Sequence, residues 1–173
     1  MKRIGFFGGC FNPPTNIHIK IANDLIKQGE IDSIFFVPVN DYYKKDNLIS
    51  SKHRYNMLKL MVEEYKNIEI EDIEIKLDRK LYAVDIFEML KKKYFNDKLF
   101  MIMGSDNFNN MHKWKDYDKI KDEYNYIIIE RNNNDISSTD IRNMIKSKND
   151  RAKEYLPNKV YKYILENKLY KED

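Results

Sequence analysis

The sequence predicts a single-domain, doubly wound α/β fold with a mostly parallel sheet, and three observations carry that expectation. Short apolar runs alternate with segments of helical periodicity along the whole chain. Such an order builds βαβ units, whose right-handed crossovers lay strands side by side in parallel. Two of the runs, KLFMIM and YNYIII, are nearly continuous in apolar residues, as strands covered on both faces are. Finally, 173 residues without internal repeat, low-complexity tract or linker match the length of one domain. The domain is drawn over 1–173, closing in a helical segment at about 138–170.

KRIGFF is the first strand, and a Gly/Pro loop follows it. A helix then spans about Thr15 to Lys27, with Ile17, Ile21, Ala22 and Leu25 on one stripe and Gly29 as its C-terminal stop. IDSIFFVPV is the second strand, ended by the polar loop NDYYKKDNLISS. The next helix starts near Lys52 and presents Leu58, Met61, Val62 and Tyr65 on one face. IEIEDIEIKL alternates with a slip at Glu71–Asp72, which predicts a bulged strand or two short ones. VDIFEMLKKKY is helical, KLFMIM and EYNYIIIE are strands, and SSTDIRNMIK and PNKVYKYILENKLY are helices, with Pro157 in a first-turn position.

Composition narrows the function classes. Hydrophobic residues make up 42% and charged residues 34%, a globular balance. The net charge of +3 is too small and too dispersed to argue for a nucleic-acid partner. Cys10 is the one cysteine, so no intrachain disulfide forms and a reducing cytoplasm is expected. The start MKRIGFFGGC imitates a lipoprotein cleavage site, but its apolar run, Ile4 to Phe7, is short of the roughly 7–15 residues an export signal needs. No run approaches the ~20 apolar residues of a membrane span.

Ligands of such sheets bind beyond the carboxyl ends of the strands, where the winding reverses. That directs attention to four loops: Gly8–Pro14, Asn40–Ser51, Gly104–Lys115 and Arg131–Ser138. In the first, Gly8 and Gly9 let the backbone approach a ligand with no Cβ between. Thr15 and His18 share one face of the following helix and lie in its first turn, where free N–H groups favour an anion. A neutral His18 donating to a phosphate oxygen is one reading; a plain turn with an N-cap and a packed or solvated His18 is the other. Cys10 has no activating partner beyond His18 and is not expected to be a nucleophile.

GGCFNPPTNIH resembles the first signature of the nucleotidylyltransferase family, G-x-F-x-P-x-[HT]-x-x-H, and within it the nicotinate/nicotinamide mononucleotide adenylyltransferases. Many bacterial members carry Asp, His and Gly where this chain has Asn12, Thr15 and Ile17; the form seen here is closer to the eukaryotic pattern. The second signature, I-S-S-T-x-I-R, is matched at Ile136 to Arg142. There Asp135, Ser137, Ser138 and Thr139 all qualify as N-caps although one suffices. Arg142 falls one turn into a helix, at the end that disfavours a cation, so either Asp140 offsets it or an anion does.

The resemblance covers nearly the whole chain. It implies the Rossmann-like nucleotidylyltransferase fold and adenylyl transfer from ATP to nicotinate mononucleotide, giving deamido-NAD and pyrophosphate. It assigns ATP to Gly8, Gly9, Cys10, Phe11, Asn12, His18, Gly104, Asp106, Ile136, Ser137, Ser138, Thr139 and Arg142. His18, Thr15, Lys44 and Arg142 would carry catalysis. Lys44, Arg54, Tyr82, Asp85 and Trp114 would hold the mononucleotide, with Trp114 stacked on the pyridine. By the residues alone, Lys44 is a solvated loop lysine, Arg54 either pairs with Asp46, faces solvent or binds a phosphate, and Trp114 belongs to the core. RKLYAVD departs from the usual S-Y-T-x-D at Leu81 and Ala83, and the connection before Ile136 is shorter than the family's. Mg²⁺ would arrive on the ATP phosphates, with no metal site in the protein. The amide mononucleotide and phosphopantetheine are alternative acceptors. A nucleotide-binding regulator without catalysis, or a scaffold without a ligand, is the alternative of another class. Self-association is left open.

Overall fold

The strand that comes first in the chain lies at the middle of the sheet. The computed structural model describes residues 1–130 and 136–171. Its strands are β1 (Arg3–Gly9), β2 (Ser33–Pro38), β3 (Ile68–Ile70), β4 (Lys98–Gly104) and β5 (Asn125–Ile129). Its helices are α1 (Asn16–Lys27), α2 (Ser51–Val62), α3 (Ala83–Lys93), α4 (Ser105–Asn110), α5 (Tyr117–Glu123), α6 (Ser138–Lys146) and α7 (Asn158–Glu166), with 3₁₀ turns at Met111–Lys113 and Asp150–Glu154. The strands pair in the order β3-β2-β1-β4-β5, every pair parallel. Winding therefore reverses between β1 and β4, and the loops leaving those two strands open onto one crevice.

Alternation along each strand feeds two cores. Phe36, Ile34 and Ile102 face a cluster built with Ala22, Leu25, Met57, Leu58 and helices α6 and α7. Ile4, Phe6, Val37, Leu99 and Met103 face the opposite cluster, built with Val84, Phe87, Leu90 and Ile120. A fully buried side chain of this size is worth roughly 1.5–3 kcal/mol, so both faces of the sheet must be covered. Among the described residues no helix is long and apolar enough to cross a membrane.

Most boundaries fall where the sequence sets them. Helix α1 ends at Gln28, and Gly29 follows in the left-handed region at φ 71°. Five expectations are corrected. The second half of IEIEDIEIKL is a run of turns, since only Ile68–Ile70 pairs with β2. The Asn40 side-chain amide takes the carbonyls of Leu77 and Arg79, which a longer strand would offer to a ladder. Tyr65 lies beyond the end of α2 and is exposed. The segment expected as a loop at Gly104–Lys115 contains α4 and a 3₁₀ turn. EYNYIIIE forms an edge strand, and Ile128 is 39% exposed. Pro157 sits one position early, as the N-cap of α7.

Candidate active site

The loop after β1 turns sharply at Phe11, which is in the left-handed region at φ 48°. That turn sends the Phe11 ring inward against Phe36 and Phe7, at 5.3 and 6.1 Å between centroids. The His18 ring rests on this aromatic floor, 5.2 Å from Phe11 and 5.9 Å from Phe7. Phe11 is thus a buried support for His18, and its ring is not a surface for ATP.

Thr15 holds His18 at Nδ1. Thr15 donates its backbone N–H to His18 Nδ1 at 3.0 Å, and the Thr15 hydroxyl lies 2.8 Å from the same nitrogen. With Nδ1 used as an acceptor, the neutral imidazole carries its proton on Nε2, an assignment made from the hydrogen-bond network. Thr15 itself is buried. It orients the histidine and has no open face for a phosphate, which corrects the direct catalytic role expected of it.

The two signature loops meet. Ser138, the first residue of α6, donates its hydroxyl to the Pro13 carbonyl at 3.0 Å. Arg142 Nη1 donates to the Asn12 carbonyl at 2.8 Å, and Nη2 donates to the Thr139 hydroxyl at 3.1 Å. The start of α6 is thereby tied to the loop that leads into α1, across 125 residues for Ser138–Pro13 and 130 for Arg142–Asn12. Ser137 caps α6, and Asp140 returns the bond by accepting from the Ser137 N–H at 2.9 Å. Asp140 is committed to this cap, whose hydrogen bonds hold its carboxylate below the usual range. Ile136 packs against the first core. The short connection before it, with Asn134 and Asp135, lies outside the described residues.

The glycines differ in what surrounds them. A Cβ at Gly8 would meet nothing within 4 Å, whereas one at Gly9 would stand 3.1 Å from the Phe11 ring. Gly8 faces open space; Gly9 is a packing requirement. Gly104 ends β4, and a Cβ there would come within 2.5 Å of Asp106 Oδ1, so that carboxylate lies folded over the glycine.

Arg54 departs most from expectation. Its side chain is fully buried (0%) and its donors go to main-chain carbonyls: Ile49 at 2.9 Å, Cys10 at 3.1 Å and Val39 at 2.7 Å. Asp41, not Asp46, is its acidic neighbour, at 3.4 Å. Arg54 joins the loops after β1 and β2 from beneath and is closed to a mononucleotide. Cys10 gives its carbonyl to Arg54, and burial pushes its thiol above the usual value. Lys44 lies on the exposed loop after β2, where Lys44, Lys45, Tyr43, Asp46 and Leu48 line an open recess of about 650 Å³. Asp41 staples the base of that loop by accepting from the Ser51 N–H and hydroxyl at 2.6 and 2.8 Å.

On the far side of the crevice, Tyr82 and Asp85 open α3. Asp85 Oδ2 accepts from the Tyr82 N–H at 3.0 Å. The exposed Tyr82 ring lies between two ammonium groups, Lys80 at 4.9 Å and Lys115 at 5.0 Å from its centroid. Lys115 is also 3.7 Å from Asp85 Oδ1. The segments carrying Tyr82, Asp85 and Trp114 therefore come together, with Trp114 partly buried against the second core. Lys80 and Lys115 give no sequence signal that separates them from other lysines.

A buried polar layer supports the loop after β2. Asn40 directs its amide N–H groups to the 74–79 turn and its Oδ1 accepts from the Tyr42 N–H at 3.0 Å, an Asx turn. Glu74 Oε1 accepts from the Asn40 N–H at 3.2 Å, and burial raises this carboxyl from 4.5 to about 7, opposed by the Asn40 bond and Arg54. Because the folded value is the higher one, the unfolded chain releases this proton first. Stability is then greatest below pH 4.5 for this group and is lost as pH rises through about 7. Glu74→Gln removes that loss: relative to the native chain the variant gains roughly 1–3 kcal/mol at pH 8, and the gain shrinks toward pH 5. Urea unfolding at both pH values checks it, and an equal difference at the two would refute the assignment.

Comparison with known proteins places these observations. A cytidylyltransferase-like family model matches residues 6–144. The nicotinate-nucleotide adenylyltransferase of Bacillus subtilis is 34% identical, over 98% of this chain and 99% of that protein. The Plasmodium falciparum nicotinic acid mononucleotide adenylyltransferase complexed with NaAD superposes with a TM-score of 0.84, covering 98% of both chains at 21% identity. The same enzyme complexed with APC superposes at 0.80, with 20% identity and the same coverage. At those identities the structures establish the fold.

Proposed function

The chain belongs to the cytidylyltransferase-like family, and from that premise we propose that it is a nicotinate-nucleotide adenylyltransferase. The observation that carries the reading is the junction of the two signature loops, Ser138 to Pro13 and Arg142 to Asn12, with His18 fixed by Thr15 in the first turn of the helix that leaves the same loop. ATP lies with its phosphates between the N-termini of α1 and α6. The 5′-phosphate oxygen of nicotinate mononucleotide attacks the α-phosphorus in line. The bond from that phosphorus to the pyrophosphate oxygen breaks, and deamido-NAD and pyrophosphate leave. The attacking phosphate is already ionised, so no general base or covalent intermediate is required, and catalysis is alignment plus neutralisation of growing charge.

His18 donates from Nε2 to the α-phosphate, while Thr15 keeps the ring in that tautomer. Arg142 has N–H groups beyond those given to Asn12 and Thr139, and these take the β- and γ-phosphates. Lys44 reaches the phosphates from the loop after β2. Mg²⁺ enters as part of the substrate, on the ATP phosphates. Tyr82, Asp85 and Trp114 hold the mononucleotide, and the ammonium groups of Lys80 and Lys115 make that side suited to an acceptor with an anionic ring substituent. Pyrophosphate release measured with the acid mononucleotide, the amide mononucleotide and phosphopantetheine tests the reading. Turnover favours the acid; equal or better turnover with either competitor, or release with none, overturns it.

Gly8 supplies a second test. Gly8→Val adds a side chain into space that is open in the folded chain. Stability shifts by less than about 1 kcal/mol, because a strand position accepts valine. Affinity for a non-hydrolysable ATP analogue falls at least about tenfold, or 1.4 kcal/mol, by titration calorimetry. Unchanged affinity would mean that the phosphates lie elsewhere.

A further inference from the structure

The segment after α7 folds back beneath the first signature loop. Leu169 is buried in the first core, and the half-buried Tyr170 donates its hydroxyl to Asn12 Oδ1 at 2.8 Å, across 158 residues of sequence. Asn12 is buried. Its Nδ2 donates to the Asn47 carbonyl at 2.8 Å, and its own carbonyl accepts from Arg142. One residue thus joins the loop after β1, the loop after β2, helix α6 and the segment after α7.

Backbone conformation marks the same junction. Among the described residues, six other than glycine have positive φ, and four of them are here: Phe11 at 48°, Asn47 at 58°, Lys168 at 52° and Tyr170 at 61°. Such conformations cost of order 1–3 kcal/mol each and persist where the surroundings over-determine them, often at functional sites. Lys168 and Tyr170 turn the chain so that Leu169 points into the core and the Tyr170 hydroxyl points to Asn12. Burial pushes the Tyr170 hydroxyl above its usual range, while the charges of Arg142 and Arg54 act in the opposite sense, so the phenol stays a donor.

We propose that Tyr170 is a positioning residue for adenylyl transfer: through Asn12 it fixes the loop that sets Arg142 relative to His18. It touches neither substrate. The inference rests on the proposed adenylyltransferase reading for its kinetic readout but not for its binding readout.

Tyr170→Phe keeps the ring and removes the hydroxyl. kcat falls about tenfold, as misalignment of reacting groups by a fraction of an ångström allows, while KM for nicotinate mononucleotide stays within about twofold. Affinity for a non-hydrolysable ATP analogue falls about fivefold, the scale of one hydrogen bond. Val160→Ala, in the same core and with no side-chain hydrogen bond to lose, serves as a variant that only loses stability. The proposal is overturned if Tyr170→Phe matches the native chain in kcat and analogue affinity. It is equally overturned if Val160→Ala reproduces both losses for the same drop in melting temperature. Should the native chain bind the analogue yet release no pyrophosphate, the adenylyltransferase reading fails, and the affinity difference alone decides the role of Tyr170.

Discussion

His18→Ala lowers kcat by about 10²–10³-fold, the scale of losing one donor aimed at charge that develops in the transition state. The size follows from geometry. Nδ1 is occupied by Thr15 at 3.0 Å, so Nε2 is the donor, and the ring cannot swing because Phe7 and Phe11 support it. A donor fixed before the reaction costs no reorganisation at the moment of transfer. The same substitution also removes the acceptor for the Thr15 N–H, which is worth about 1 kcal/mol of stability at a helix start. His18→Asn separates the effects, since its side-chain oxygen can accept from Thr15 while nothing occupies the place of Nε2. Both variants lose turnover and the Asn variant melts closer to the native chain. Single-turnover rates with thermal melts measure the pair, and near-native turnover in either would remove His18 from the chemistry.

Arg54→Met costs at least about 3 kcal/mol of stability, even though methionine fills much of the space. Three carbonyls, of Ile49, Cys10 and Val39, lose their donor at once. Each buried acceptor left unpaired costs about 1–3 kcal/mol. Arg54 ties the loops after β1 and β2 together through the Cys10 and Val39 carbonyls, so ATP affinity falls with stability although its donors go to main chain and not to the ligand. Urea unfolding and analogue titration check both, and a loss under about 1 kcal/mol would contradict the burial and bonding described for it.

The two substitutions mark where the sequence is legible and where it is not. Strands β1, β2 and β4 are readable because burial on both faces writes continuous apolar runs. Segment 71–77 misleads because its carboxylates, Glu71, Asp72 and Glu74, look solvent-facing. In the fold Glu74 is buried against Asn40, and Glu71 is buried against Lys93 and the Tyr94 hydroxyl at 2.7 and 2.6 Å. Helix α4 shows no apolar period because none of its residues is buried. At the site, the glycine loop, His18 and the serine-rich helix start are local signals and stand out in the chain. Arg54 does not, since a buried guanidinium serving carbonyls and a surface one serving phosphate are the same letter. Nor does Tyr170, whose role depends on two left-handed residues inside what reads as the end of a helix.

The central claim is that two helix starts, distant in sequence, share one triphosphate. A crystal structure of the chain with a non-hydrolysable ATP analogue tests it most directly. The expected density runs over Gly8, with the α-phosphate within hydrogen-bond distance of His18 Nε2 and the terminal phosphates on Arg142. An analogue bound with its phosphates away from both helix starts would contradict the account.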